Sequence, residues 1–172
     1  PAASKEQLQR AHSIDYIETI FRASPSNGLV YLDADTAMNP YSLEAALHAA
    51  GAAVKAVDLV MSGQNENAFC NIRPPGHHAG RSSAAGFCIF NNVAVAAAHA
   101  LAHYGLSRVA IADFDVHHGN GTDEIFNGDS RVMLCSTFRH PYYPCEGVDS
   151  GNEHIINVPL AAGATGTQFR AA

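Results

Sequence analysis

Three short apolar runs, each bounded by polar residues, constrain this 172-residue chain most. They are Val109-Ala-Ile-Ala112, Val132-Met-Leu-Cys135 and Ile155-Ile-Asn-Val158. Each is too short for a buried helix and rich in β-branched residues, so strands are expected over 108–113, 131–136 and 155–158. A fourth strand is expected over 68–73. Helical periodicity separates them. Leu43, Leu47, Ala50, Val54, Val57 and Met61 recur every three or four residues over 42–61, with Ser62-Gly63 as the stop. An Ala-rich helix spans 91–104 and ends at Gly105, and a short one lies around 122–126. Ser4 and Ser13 are candidate N-caps for two helices near the start, the first carrying Leu8 and Ala11, the second Ile14, Ile17 and Ile20. Residues 23–30 are expected as loop. Strands that are continuously apolar and alternate with helices imply an α/β fold of three layers, helix–sheet–helix, with a mainly parallel sheet covered on both faces.

Composition narrows function. Hydrophobic residues at 47% and charged residues at 15% exclude disorder. The net charge of −6 and the scattered Lys and Arg argue against nucleic acid and against an anionic membrane surface. No stretch of about twenty apolar residues exists, and the first residues do not form a signal peptide. The four cysteines are dispersed, so a disulfide framework is not expected and a reducing cytoplasm is. Histidine is abundant, ten in all, and two pairs are adjacent.

In parallel sheets ligands sit beyond the carboxyl ends of the strands, and the polar clusters fall there. Extended geometry after the 108–113 strand would put Asp113, Asp115 and His117 on one face, a carboxylate–imidazole set suited to a divalent cation. A solvated polar loop is the plain alternative. Pro74-Pro75-Gly76 stiffens the chain before His77 and His78, imidazoles that can move protons near neutral pH. A surface turn with two incidental histidines explains that motif equally well on its own. Phe87, after Gly86, and Tyr142-Tyr143 could wall a narrow slot or simply pack. His12, His48, His99, His103 and His154 are expected as surface or satisfied core residues, and Cys88 as a buried thiol.

Together, Arg73-Pro-Pro-Gly-His77-His78-Ala79, Gly86-Phe-Cys-Ile-Phe-Asn-Asn92 and Asp113-Phe-Asp-Val-His-His-Gly-Asn-Gly-Thr122 resemble the zinc-dependent histone deacetylase family. They are most similar to its class II and bacterial amidohydrolase branch, from about Gln7 onward. The resemblance implies an arginase/deacetylase-like fold with an eight-stranded parallel sheet, and hydrolysis of an acetylated amine. It implies Asp115 and His117 as zinc ligands, His78 as general base and acid, His77 as an electrostatic partner bonded to Asp113, and Asn120 as the residue orienting His78. Class I members carry Asp at that last position. Gly86 would receive the substrate amide through its carbonyl, and Phe87 and Tyr143 would wall the acyl tunnel. A potassium ion is implied at Asp113, Asp115, His117, Ser136 and Thr137, and a second at the carbonyls of Phe126, Asp129 and Val132.

The family's third zinc ligand, an Asp, and its oxyanion Tyr have no matching residues; Asp123, Asp129 and Asp149 do not fit that motif. Residues 1–172 are therefore expected to be part of a catalytic domain, without its first strand and its C-terminal half, and to form a homo-oligomer or part of a larger assembly. Two other readings remain: a non-catalytic interaction module keeping half of the site, and a manganese ureohydrolase of the same fold, whose metal segment differs. Acetyl-lysine and acetylpolyamines are both open as substrates.

Overall fold

Ser4 and Ser13 begin the first two helices, α1 (Lys5–Gln9) and α2 (Ile14–Ala23), and each hydroxyl accepts a backbone N–H from the first turn. A two-residue hairpin, β1 (Val30–Tyr31) with β2 (Ala37–Met38), leads into the long α3 (Ser42–Met61). Asn91 caps α4 (Asn92–Tyr104), and Gly105 closes it with φ +65°. Then follow β3 (Val109–Asp113), α5 (Asn120–Phe126), β4 (Val132–Arg139), β5 (Ile155–Leu160) and α6 (Gly166–Ala171). This computed structural model describes residues 1–172.

β3, β4 and β5 form a parallel sheet in that order, in the register Ile111–Leu134–Ile155 and Asp113–Ser136–Asn157. The expected α/β class with a parallel sheet agrees with this arrangement. Two features differ from expectation. Residues 68–73 form no strand: Phe69 is 92% exposed, and the segment lies beside α3, where Cys70 Sγ approaches the Ala52 carbonyl at 3.6 Å. An apolar run becomes a strand only when another strand lies alongside to satisfy its N–H and C=O groups, and none does here. The sheet is also covered on one face rather than two. Ile111, Val132, Leu134, Phe138 and Ile155 are buried, whereas Met133 and Ile156, pointing the opposite way, are 45% and 39% exposed. The sheet has three strands, fewer than the eight the resemblance implies for a complete domain and in line with the partial fold expected. The hairpin and α6 were not expected, β4 and β5 run past their expected ends, and α5 begins at Asn120.

One core joins the elements through Leu8, Ile17, Ile20, Phe90, Val95, Ile111, Leu134 and Ile155. The buried side of α3 is formed by small residues, Ala46, Ala49, Ala50 and Gly51, more than by the larger ones that set its periodicity. Smallness matters there because the N-terminus crosses the helix: a Cβ on Gly51 would fall 2.1 Å from the Pro1 carbonyl oxygen.

Candidate active site

The N-terminus of α4 fixes the 74–80 loop. Asn91 uses Oδ1 to cap its own helix at Ala94 N–H and donates from Nδ2 to the Ala79 carbonyl at 3.0 Å and to Thr122 Oγ1 at 3.1 Å. Asn92 Nδ2 donates to the Pro74 carbonyl at 3.1 Å. His12, fully buried, accepts the Asn91 N–H at Nε2 and donates from Nδ1 to the Gly80 carbonyl, both at 2.9 Å. Burial lowers its pKa to about 4, so it is neutral and both nitrogens have fixed roles. α5 holds the same loop from the other side, with Thr122 N–H donating to the His77 carbonyl at 3.2 Å. A side chain at Gly121 would strike the Ala79 carbonyl, 2.3 Å from an added Cβ.

His77 and His78 therefore arrive together, rings 4.1 Å apart. His77 Nδ1 lies 2.8 Å from Asp113 Oδ2, and His77 Nε2 3.9 Å from Asp115 Oδ1. His78 Nδ1 donates to Asn120 Oδ1 at 2.9 Å, and Asn120 Nδ2 donates to Glu146 Oε2 at 3.3 Å. That second bond sets the amide's orientation, because a carboxylate only accepts. Nε2 of His78 then keeps its lone pair. Burial first, and the neighbouring His77 next, lower the His78 pKa to about 4, so the imidazole is a free base at neutral pH.

Asp113 ends β3, but the expected alternation stops there. Asp113 Oδ1 accepts the Asp115 N–H at 3.1 Å, and Asp115 Oδ1 accepts the His117 N–H at 2.8 Å. These side-chain-to-backbone bonds turn the chain out of the extended path. Asp115, His117 and Asp113 meet at the imidazoles through bends, not through one strand face. Asp115 Oδ1 and His117 Nδ1 lie 2.9 Å apart. That is within a few tenths of an ångström of the ~3.3 Å edge of a tetrahedral zinc site with ~2.0 Å bonds, so the pair fits such an ion. Burial works against the Asp115 carboxylate, but its bonds from His117 outweigh it and hold its pKa below the usual range.

Tyr143 stands edge-on to His78, ring centroids 5.0 Å apart and planes at 87°. Tyr142 stacks on His117 at 5.1 Å and 13°. Phe87, with φ +67° and 58% exposed, lines a cleft of about 420 Å³ with Asp35, Arg73 and Pro74. Gly86 donates its N–H to Asp35 Oδ1 at 3.2 Å, and its carbonyl faces Cys88 Sγ at 3.4 Å. Cys88 is a buried thiol with its pKa raised to about 12 by burial, and all four cysteines are free.

Ser136 and Thr137 lie inside β4, not at its end. Both hydroxyls are buried without a hydrogen-bond partner, and Ser136 pairs in register with Asp113. A carboxylate beside an unsatisfied hydroxyl suits a monovalent cation. The Phe126 carbonyl already accepts from Asp129 N–H and His154 Nε2, and the Asp129 carbonyl from Val132 N–H, each with one lone pair or none to spare.

His12 is a satisfied core residue, one of the two expectations for it, though sequence reasoning does not read its place beneath the loop and gives Asp35 and His118 no role. His118 is buried, with Nε2 3.1 Å from Asn157 Oδ1 and 3.4 Å from Asp123 Oδ2. Asp123 also accepts from Ser150 Oγ and Asn157 Nδ2; these bonds overcome burial and hold its pKa at about 2. The group anchors the loop that carries Tyr142 and Tyr143. The doubled histidine was the available signal for His118; nothing local marked His12.

Comparison with known proteins gives the class. The sequence matches the histone deacetylase domain over residues 1–172, and the chain belongs to that family. It is 41% identical over 170 residues to a histone deacetylase-like amidohydrolase of Pseudomonas aeruginosa, covering 95% of this chain and 44% of that protein. A probable deacetylase of Archaeoglobus fulgidus is 40% identical over 167 residues, covering 94% of this chain and 46% of the relative. The crystal structure of the HDA15 HD domain superposes with a TM-score of 0.87 at 38% identity, covering 92% of this chain and 48% of that one. The chain thus spans about half the length of the relatives it matches. No helix is long and apolar enough to cross a membrane.

Proposed function

We propose that these residues form the general-base side of a zinc-dependent hydrolase acting on an acetylated amine, acetyl-lysine or acetylpolyamine in type. The observation that carries this reading is the paired imidazole arrangement: His77 bonded to Asp113 at 2.8 Å and His78 bonded to Asn120 at 2.9 Å, with His78 Nε2 left as a free base.

Asp115 and His117 would hold the zinc, with a third carboxylate from outside these 172 residues. When bound, the ion supplies Lewis acidity to the acetyl carbonyl and brings the pKa of bound water toward ~7. His78 accepts a proton from the attacking water at Nε2, and its Nδ1–H stays on Asn120 throughout. The same imidazole then returns a proton to the departing amine. His77, held by Asp113, places a second imidazole beside His78 and disfavours its charging, so the proton passes on readily. Tyr143 and Phe87 exclude water from the acyl chain, and the Gly86 carbonyl accepts the substrate N–H. Ser136, Thr137 and Asp113 support a potassium ion beneath the site; a second ion at Phe126, Asp129 and Val132 is carried by the family pattern alone.

The test uses a full-length protein bearing this segment. His78→Ala is expected to lower turnover on acetyl-lysine and acetylpolyamine substrates by about 10²- to 10⁴-fold, with zinc content unchanged. Asp115→Ala is expected to lose the zinc. If His78→Ala sheds the metal, or if no acetylated amine is turned over by the parent, the assignment is wrong.

A further inference from the structure

We propose that Asp58, His99 and His103 form a second divalent-metal site that staples α3 to α4. One ligand atom from each residue can be chosen so that all three lie within 4.8 Å of one another. His99 and His103 are one turn apart on α4, which puts them on one face. Their rings are stacked, centroids 4.9 Å apart and planes at 14°. Asp58 reaches across from α3, with Oδ1 2.8 Å from His99 Nε2. Tyr104 donates to the same oxygen at 3.0 Å and orients the carboxylate, leaving its other oxygen available.

Two imidazoles and one carboxylate favour Zn²⁺, Co²⁺ or Ni²⁺ over the harder Mg²⁺ and Ca²⁺. Burial is graded, His99 inside, Asp58 half-buried and His103 exposed, so an ion has an approach from solvent and a coordination position for water. The cluster is separate from the rim. Asn92 borders the cavity next to His77, and His99 lies seven residues further along α4, about 10 Å.

Arg10 competes with the ion. Its guanidinium contacts His99 Nδ1 and can only donate, so Nδ1 accepts and the proton sits on Nε2, directed at Asp58. Metal binding takes the Nε2 lone pair. The proton moves to Nδ1, no net proton is released, and Arg10 must leave. Glu6, already 3.2 Å from its other nitrogen, is the place for it to go.

The experiment uses the chain with Asp115→Ala and His117→Ala, which silences the rim. Zn²⁺ is titrated against a chromophoric chelator, Co²⁺ is followed by its visible absorption, and the melting temperature is recorded with and without Zn²⁺. One Zn²⁺ per chain and a rise in melting temperature are expected. His103→Ala, at an exposed position that leaves the core intact, is expected to weaken Zn²⁺ binding by about tenfold or more and to remove the thermal shift. Arg10→Gln, whose amide oxygen can accept from Nδ1–H, is expected to tighten it. Absence of stoichiometric Zn²⁺ in the rim-silenced chain, or binding indifferent to His103→Ala, overturns the site. An Arg10→Gln variant that binds no tighter overturns the competition.

Discussion

At Gly86 the backbone has φ +52°, and an added Cβ would lie 2.3 Å from His78 Cδ2. Both facts exclude a side chain: the left-handed conformation disfavours one, and the imidazole occupies its space. Gly86→Ala is expected to cost on the order of 1–3 kcal/mol in urea unfolding and, on the proposed reading of His78 as the base, to lower turnover of a full-length protein bearing this segment with its zinc content unchanged. Unchanged stability would show that His78 can swing aside freely. Gly119 is similar in kind, since a Cβ there would meet Asp113 Oδ2 at 2.3 Å, so Gly119→Ala is expected to break the His77–Asp113 pair, visible as loss of the downfield Nδ1–H resonance. These positions show what could be read beforehand. His77, His78, Asp113, Asp115 and His117 stood out because their chemistry is dense in the sequence. The constraint on Gly86 did not, because the ring it touches lies in another segment. The bends at Asp115 and His117 were hidden for a different reason: an Asp side chain that bonds its own backbone overrides the alternation of a strand.

The elements that support the site are joined through His12, which links the start of α2 to the N-terminus of α4 and to the 80s loop. Its pKa is about 4 folded against 6.5 free, so between those values the unfolded chain binds the extra proton. His12 thus contributes stability in full above pH 6.5, and loses it as pH falls toward 4, about 3 kcal/mol across the window. Urea unfolding at pH 7.5, 6.0 and 4.5 is expected to show this slope together with a similar one from His78, whose pKa is also lowered to about 4, and His12→Gln is expected to remove roughly half of it. A slope undiminished in His12→Gln assigns it to other groups. Serine caps, the Gly105 stop and the apolar runs made α1 to α4 and β3 to β5 legible. The 68–73 strand failed because pairing is a property of two segments, and apolarity of one cannot guarantee the other. In α3 the periodic large residues were visible, but the packing face was decided by Gly51 and its alanines, whose value lies in what crosses them.

Residues 1–172 as a whole present a sheet with one apolar face toward solvent. Its accessible surface is 9183 Å², about 1,000 Å² more than the ~8,100 Å² typical of a folded monomer of this mass. That excess is comparable to one side of a standard protein interface. The isolated chain is therefore expected to self-associate, and Met133→Lys combined with Ile156→Lys to shift it toward monomer, in sedimentation velocity. A wild-type chain that stays monomeric at high concentration contradicts this. Association was expected from the partial domain; that a sheet face is open was not readable from strands that looked apolar throughout. The order β3–β4–β5 has a further consequence in time rather than space. β4 alone is bonded along both edges, whereas the outer strands leave half of their amides unpaired by the sheet. Deuterium should therefore enter the 140–151 loop first, β3 and β5 next, and the amides of Leu134 and Ser136 last. Exchange in the loop ahead of Ser136 would mean that the segment carrying Tyr143 opens while Asp113, paired with Ser136 in register, still holds His77.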